Sequence, residues 1–318
     1  MLPKNELPFK IVLLQLSTPS KTFLLGEYLA LCGGASLIVN TEARFSLTVK
    51  SQSPGEIIGI SSQGPARQLL QTHAALFKPF KLNFTDPYAK AGGLGASSAQ
   101  FLLCYALHEY VSRGSILSAN TIEIDRLLQH YHSCCDIVGK YKPSGHDLIA
   151  QLKGDLCYFH PRENKPESYA WPFKEIGFYL LRSGTKIATH EHLAQLQPFD
   201  AHDLNICMQQ AMQAFHDQDP LNFIVAVNQY GQLLQQLGFV SVHTQALLRT
   251  IHSHKAVRAT KGCGALGADI ILVLIDKNKK SDFADHADQQ GWVIIADESH
   301  ISSGLSFIIE EQGYEMAG

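Results

Sequence analysis

The chain has 318 residues, 45% of them hydrophobic and 17% charged, which fits two medium-sized domains with ample cores and excludes a disordered or fibrous protein. A formal net charge of −3 gives no electrostatic case for nucleic acid or an anionic membrane as partner, and no apolar run approaches a membrane span. The seven cysteines are odd in number and lie mostly within apolar runs, so they read as reduced, buried thiols of a cytoplasmic protein; residues 1–10 lack a signal-peptide pattern.

In chain order, residues 9–16 form a continuous apolar run that suits a buried strand. Residues 17–21 break it, because Pro19 cannot continue a ladder and serines favour turns. Lys21 and Glu27 then stand out as charges in an apolar neighbourhood. Residues 44–50 alternate as a half-exposed strand, 56–60 and 81–84 read as further strands, and 66–77 as a helix between them.

Residues 90–101 are the stretch that the rest is organised around. Gly92, Gly93 and Gly95 permit positive φ and close approach of a ligand to the backbone. Apolar residues then recur at Ala99, Leu102, Leu103, Ala106, Leu107 and Tyr110, the spacing of a one-sided helix. A glycine loop at a helix N-terminus offers unpaired N–H groups and the positive end of the dipole to a phosphate. Ser97 and Ser98 add hydroxyls at the first turn, where they could cap the helix or touch a metal–phosphate complex.

Residues 121–138 give a second periodic helix whose tail, His130 to Asp136, holds histidines and cysteines that turn to different faces, which argues against zinc. Ser144, Gly145, His146 and Asp147 open another helix, followed by a strand at 155–160. The tract 161–168, with two prolines and mixed charges, is the best linker, dividing domains 1–165 and 166–318. Beyond it the pattern gives a strand at 175–182, helices at 188–196, 201–216, 220–237 and 242–254, and a second glycine-rich loop at 260–269. Strands at 270–275, 292–296 and 305–310 complete an expected four-stranded sheet.

Four stretches resemble, in order, the motifs of the GHMP kinases, named for galactokinase, homoserine kinase, mevalonate kinase and phosphomevalonate kinase. Pro19-Ser-Lys21 followed by Gly26-Glu-Tyr28 is similar to their opening motif, and Gly93-Leu-Gly-Ala-Ser-Ser-Ala99 to their phosphate loop. Lys142-Pro-Ser-Gly-His-Asp147 resembles the motif that carries the catalytic aspartate of mevalonate kinases, with Asp136 eleven residues earlier where an acidic metal ligand stands. Lys261-Gly-Cys-Gly-Ala-Leu-Gly-Ala-Asp269 resembles the late loop of the phosphomevalonate branch. The chain departs from these patterns at Ser20, Cys263, Leu266 and Ala268; a leucine at 266 would be strained if that position needs positive φ.

The resemblance implies an α+β, two-domain fold, with an N-terminal α/β phosphate-binding domain and a C-terminal ferredoxin-like domain. It implies a cytoplasmic, ATP- and Mg²⁺-dependent transfer of the γ-phosphoryl group to phosphomevalonate or mevalonate in isoprenoid precursor synthesis. A sugar or homoserine as acceptor, or a non-catalytic ligand-binding protein of this fold, are the alternatives. Asp147 would be the base and Lys21 its cationic partner. The nucleotide would be held by Lys90, Gly92, Gly93, Leu94, Gly95, Ala96, Ser97, Ser98 and Ala99, and the metal by Asp136 with Ser97 or Ser98, counting after Gly93 favouring Ser97. Glu27, Tyr28, Ser144, Gly145, Lys186, Gly264, Ala265 and Gly267 would face the acceptor; a phosphate acceptor would need cations such as Lys90, Lys140, Lys142, Arg182 or Lys186. The expected partner is a small molecule, with a homodimer as the candidate assembly.

Overall fold

A computed structural model describes residues 13–52, 54–89, 92–114, 118–135, 142–184, 189–267 and 269–310. The N-terminal half runs β1 (Leu13–Leu25), β2 (Ser36–Ser51), β3 (Glu56–Ile58), α1 (Pro65–Thr72), α2 (Ala74–Phe77), β4 (Phe80–Thr85), α3 (Ala96–Arg113), α4 (Ile124–Cys134), α5 (His146–Lys153) and β5 (Leu156–Phe159). The chain continues with β6 (Glu167–Tyr169), β7 (Ile176–Arg182), α6 (Thr189–Gln195), α7 (His202–His216), α8 (Pro220–Gln236), α9 (Val242–His252), β8 (Val257–Cys263), β9 (Ile270–Asp276), α10 (Lys280–Gln289), β10 (Ile294–Asp297) and β11 (Ser306–Glu310).

Two sheets result. The first has the order β11-β1-β2-β4-β3, with β5 on the first half of β2 and β6 beside β5; all its pairs are antiparallel except β3 with β4. The second has the order β10-β7-β9-β8, with every pair antiparallel and helices between β7 and β8 and between β9 and β10, the ferredoxin-like arrangement. Residues 270–275 are each no more than 1% exposed, as expected of a strand covered on both faces. One apolar cluster runs from Leu14 and Leu47 in the first sheet to Phe178 and Leu272 in the second.

Several expectations change. The strand at 305–310 does not join the four-stranded sheet; β11 pairs with β1 from Leu13 to Ser17, and the fourth strand is β8, whose second half the sequence pattern assigned to a glycine loop. Pro19 does not end β1, because the strand shifts register between Pro19 and Ser20, and an irregularity is where a strand tolerates a missing N–H donor. The helix expected at 66–77 is two helices that meet at His73, and α4 starts at Ile124 rather than residue 121. Helix α3 is buried on nearly all sides rather than one: Phe101, Leu102, Leu103, Cys104, Tyr105, Ala106 and Leu107 are each at most 1% exposed. All seven cysteines are reduced thiols; Cys104, Cys157, Cys207 and Cys263 are buried, whereas Cys32 is exposed and Cys134 and Cys135 are half-buried. Among the described residues no helix is long and apolar enough to cross a membrane.

Candidate functional site

The glycine loop takes the conformation its composition anticipates. Gly92, Gly93 and Gly95 have φ of 88°, 77° and 92°, and Gly95 caps α3 in the left-handed region, with no side-chain cap among the described residues. The chain therefore presents the amides of Ala96, Ser97 and Ser98 at the positive end of an 18-residue helix, a donor set that fits a phosphate. The two serines differ. Ser98 is 2% exposed and its hydroxyl donates to Gly95 O at 3.0 Å, while Ser97 is exposed. Leu94 is buried, anchoring the loop, and Ala99 N closes the first helical bond onto Gly95 O at 2.9 Å.

Lys21 is fixed to this loop by its own backbone. β11 covers the outer edge of β1 only as far as Ser17; past that point Lys21 N–H donates to Leu94 O at 3.0 Å. The Lys21 side chain lies against Gly95, where a Cβ would sit 2.8 Å from its Cγ, and its Nζ is 5.1 Å from the centre of the Phe23 ring. That same Cβ would lie 2.9 Å from Nε2 of Gln151, a fully buried residue of α5.

Asp147 occupies the first turn of α5, half-buried, with its Oδ1 accepting from Leu148 N at 3.1 Å. Gly145 precedes the helix with φ 77°, the left-handed region that favours glycine, and a Cβ there would press on the Leu128 side chain of α4 at 2.4 Å. Ser144 Oγ accepts weakly from His146 N at 3.4 Å. His146 points the other way: it is 1% exposed and its Nδ1 bonds Ser36 Oγ at 2.8 Å. Burial, reinforced by His160, lowers its pKa to about 3, so it is a neutral core residue. The Tyr131 phenol is raised well above its ordinary range, first by burial and then by the Asp147 carboxylate.

The late glycine-rich segment packs against the first loop. The Cβ a residue at 93 would carry lies 2.3 Å from Cβ of Asp269, and one at 264 lies 3.2 Å from its Oδ2, so the Asp269 side chain sits between the two loops. Gly264 and Gly267 have φ of 87° and 58°, and Leu266, flanked by them, takes φ 50°, the strained position anticipated for a leucine. Tyr28 holds this segment: its hydroxyl accepts from Leu266 N at 2.9 Å, bonds His192 Nε2 at 2.9 Å, and its ring stacks on Phe239 with centroids 4.1 Å apart. Ala265 is buried.

Glu27 is also interior. Its Oε1 pairs with Nζ of Lys261, which is fully buried in β8 and reaches Gly262 O at 3.2 Å and Cys263 Sγ at 3.5 Å. Burial works against the ammonium, but the neighbouring Cys263 and Glu27 outweigh it and raise Lys261 above ordinary lysine. Tyr230 on α8 completes the junction, donating to Glu27 O at 2.9 Å and accepting from Gly26 N at 3.2 Å.

The structure thus gathers Lys21, residues 92–99 and the start of α5 with Asp147, and it sets Gly264 beside the loop through Asp269. It places Glu27 and Tyr28 in the junction between the two halves, engaged with protein groups. Lys90, Asp136, Lys140 and Lys186 lie outside the described residues. Sequence reasoning gave no role to three residues found here: Gln151, Lys261 and Asp269. The available signal was a polar side chain inside the apolar run 148–152 for Gln151, and a lone cation opening a glycine-rich tract for Lys261.

No protein family model matches the chain, and no curated protein matches it. Solved structures do. Streptococcus pneumoniae phosphomevalonate kinase in complex with phosphomevalonate and AMPPNP superposes with a TM-score of 0.71 at 16% identity, over 89% of this chain and 98% of that one. Lactococcus lactis galactokinase complexed with galactose gives 0.72 at 14% identity, over 92% and 95%. Methanococcus jannaschii mevalonate kinase gives 0.65 at 13%, over 91% and 98%. With both sheets, the loop-to-helix turn and these likenesses spanning most of the chain, the fold is the two-domain α+β fold of the GHMP kinases.

Proposed function

We propose that the protein is an ATP-dependent small-molecule kinase that uses Mg²⁺, with phosphomevalonate or mevalonate as the acceptor to test first. The observation that carries this is the N-terminus of α3, without a side-chain cap among the described residues and held against Lys21 by the Lys21 N–H to Leu94 O bond, with Asp147 on the adjoining helix. Phosphoryl transfer asks the protein for position and charge, with little covalent work. The amides of residues 96–98 bind the nucleotide phosphates, and Lys21 offsets charge that builds on the transferred group. Asp147 accepts the proton when the acceptor is a hydroxyl. Mg²⁺ neutralises phosphate charge; Ser97, the exposed serine, and Asp136 would hold it with oxygen ligands, the donors a hard ion takes. If the acceptor is itself a phosphate, Lys142, which is exposed, and Arg182 at the end of β7 are the described cations for it.

The test is ADP formation from ATP with mevalonate, phosphomevalonate, galactose and homoserine in turn, for the wild type and Asp147→Asn. One acceptor stimulates the wild type, and the substitution lowers that rate by about 10²–10⁴-fold for a hydroxyl acceptor. An Asp147→Asn protein with wild-type turnover of a hydroxyl acceptor removes the base assignment.

A further inference from the structure

We propose that Gln151 is a positioning residue that sets the catalytic strand, the glycine loop and the aspartate-bearing helix at their working spacing. The inference rests on the kinase reading above and assigns a role to a residue outside it.

Gln151 lies one helical turn after Asp147 on α5, on the same face at i, i+4 spacing, and is fully buried. Its carboxamide uses both donors: Nε2 gives a hydrogen bond to Pro19 O at 2.9 Å and another to Gly95 O at 3.2 Å. Both partners are carbonyls and can only accept, so the orientation of the amide is fixed by its chemistry. Pro19 O lies beside the register shift of β1, two residues before Lys21, and Gly95 O belongs to the residue that starts α3. Thr18 Oγ1 in turn donates to Gln151 O at 2.8 Å, tying the same strand to the backbone of α5.

Three elements therefore converge on one side chain, and each carries one part of the site: Lys21, the phosphate loop, Asp147. The remaining atom of the amide sharpens the point. Gln151 Oε1 is buried and has no hydrogen-bond partner among the described residues. An apolar side chain of similar size would fill the space without an orphan acceptor, so what glutamine adds is its two donated bonds. Those bonds hold the loop and strand to the helix at a junction where a Cβ on Gly95 would already collide with Lys21 and with Gln151 itself. A site that works by positioning is sensitive to displacements of about 1 Å, which are worth on the order of 100-fold in rate.

The experiment compares wild type, Gln151→Met and Gln151→Glu in steady-state ADP formation with ATP and the four acceptors above, per folded molecule by circular dichroism, alongside AMPPNP titration. Gln151→Met is expected to lower kcat by about 10–100-fold while KM for ATP stays within about threefold, because alignment is lost rather than ground-state contact. Gln151→Glu keeps the shape; its protonated carboxyl can still donate one bond, and its carboxylate cannot donate at all. Its kcat relative to wild type is expected to fall as pH rises, a signature that a filler role would not produce. Gln151→Met with wild-type kcat, or Gln151→Glu with a pH profile parallel to wild type, overturns the positioning role alone. A wild type that neither binds AMPPNP nor forms ADP with any acceptor overturns the kinase reading and this inference with it.

Discussion

Lys261→Met tests how the two halves are held together. Lys261 is fully buried and its Nζ meets Glu27 Oε1, Gly262 O and Cys263 Sγ; Glu27 is 6% exposed, and its Oε2 has no hydrogen-bond partner among the described residues. Removing the ammonium leaves a carboxylate in the interior whose ion-pair partner is gone, and breaking a buried pair from one side typically costs about 3–5 kcal/mol. That is a large share of the roughly 5–15 kcal/mol by which a native protein is stable. Glu27→Gln should cost a comparable amount, since it strands the lysine. The double variant removes both charges and should lie within about 1–2 kcal/mol of wild type, giving a coupling of several kcal/mol across the cycle. Urea unfolding of the four proteins at pH 7 reads this directly. Additive single effects, or a Lys261→Met protein within about 1 kcal/mol of wild type, would refute the assignment of the Glu27–Lys261 pair to holding the junction.

Gly95→Ala puts a Cβ 2.8 Å from Lys21 Cγ and 2.9 Å from Gln151 Nε2 at φ 92°, so it should weaken AMPPNP binding in calorimetry by about tenfold or more; unchanged affinity would show that the loop does not carry the nucleotide. His146 supplies a pH dependence: its folded pKa is depressed from 6.5 to about 3, so the unfolded chain binds its proton first and stability falls as pH drops through this window. The loss from this residue is about 2 kcal/mol at pH 5 relative to pH 8. Urea unfolding at both values should show a smaller difference for His146→Asn than for wild type, and equal differences would contradict its neutral burial.

The parts of the site that follow local rules were legible in the sequence. Three glycines before an apolar helical period announced the loop and α3, and a leucine between Gly264 and Gly267 announced the strain now seen at φ 50°. What depends on distant chain was not. Whether 305–310 pairs with β1 or with the second sheet is decided by packing of segments nearly 300 residues apart, and either strand choice satisfies the same apolar pattern. Pro19 read as a strand end because the rule against proline in a ladder says nothing about a register shift that accommodates it. Glu27 and Lys261 are 234 residues apart, and a charge inside an apolar stretch is as often solvated as paired until its partner is known. That Ser98 turns its hydroxyl in to Gly95 O while Ser97 stays exposed is a consequence of helix geometry that spacing alone leaves open.

If the first turn of α3 cradles the phosphates of a nucleotide, amide hydrogen exchange with AMPPNP and Mg²⁺ reads the contact at the atoms that make it. At about 100 times Kd, exchange at Ala96, Ser97 and Ser98 should slow by about 100-fold, because those N–H groups gain acceptors only when the nucleotide is bound. Saturable AMPPNP binding that leaves exchange at these three amides unchanged would contradict it.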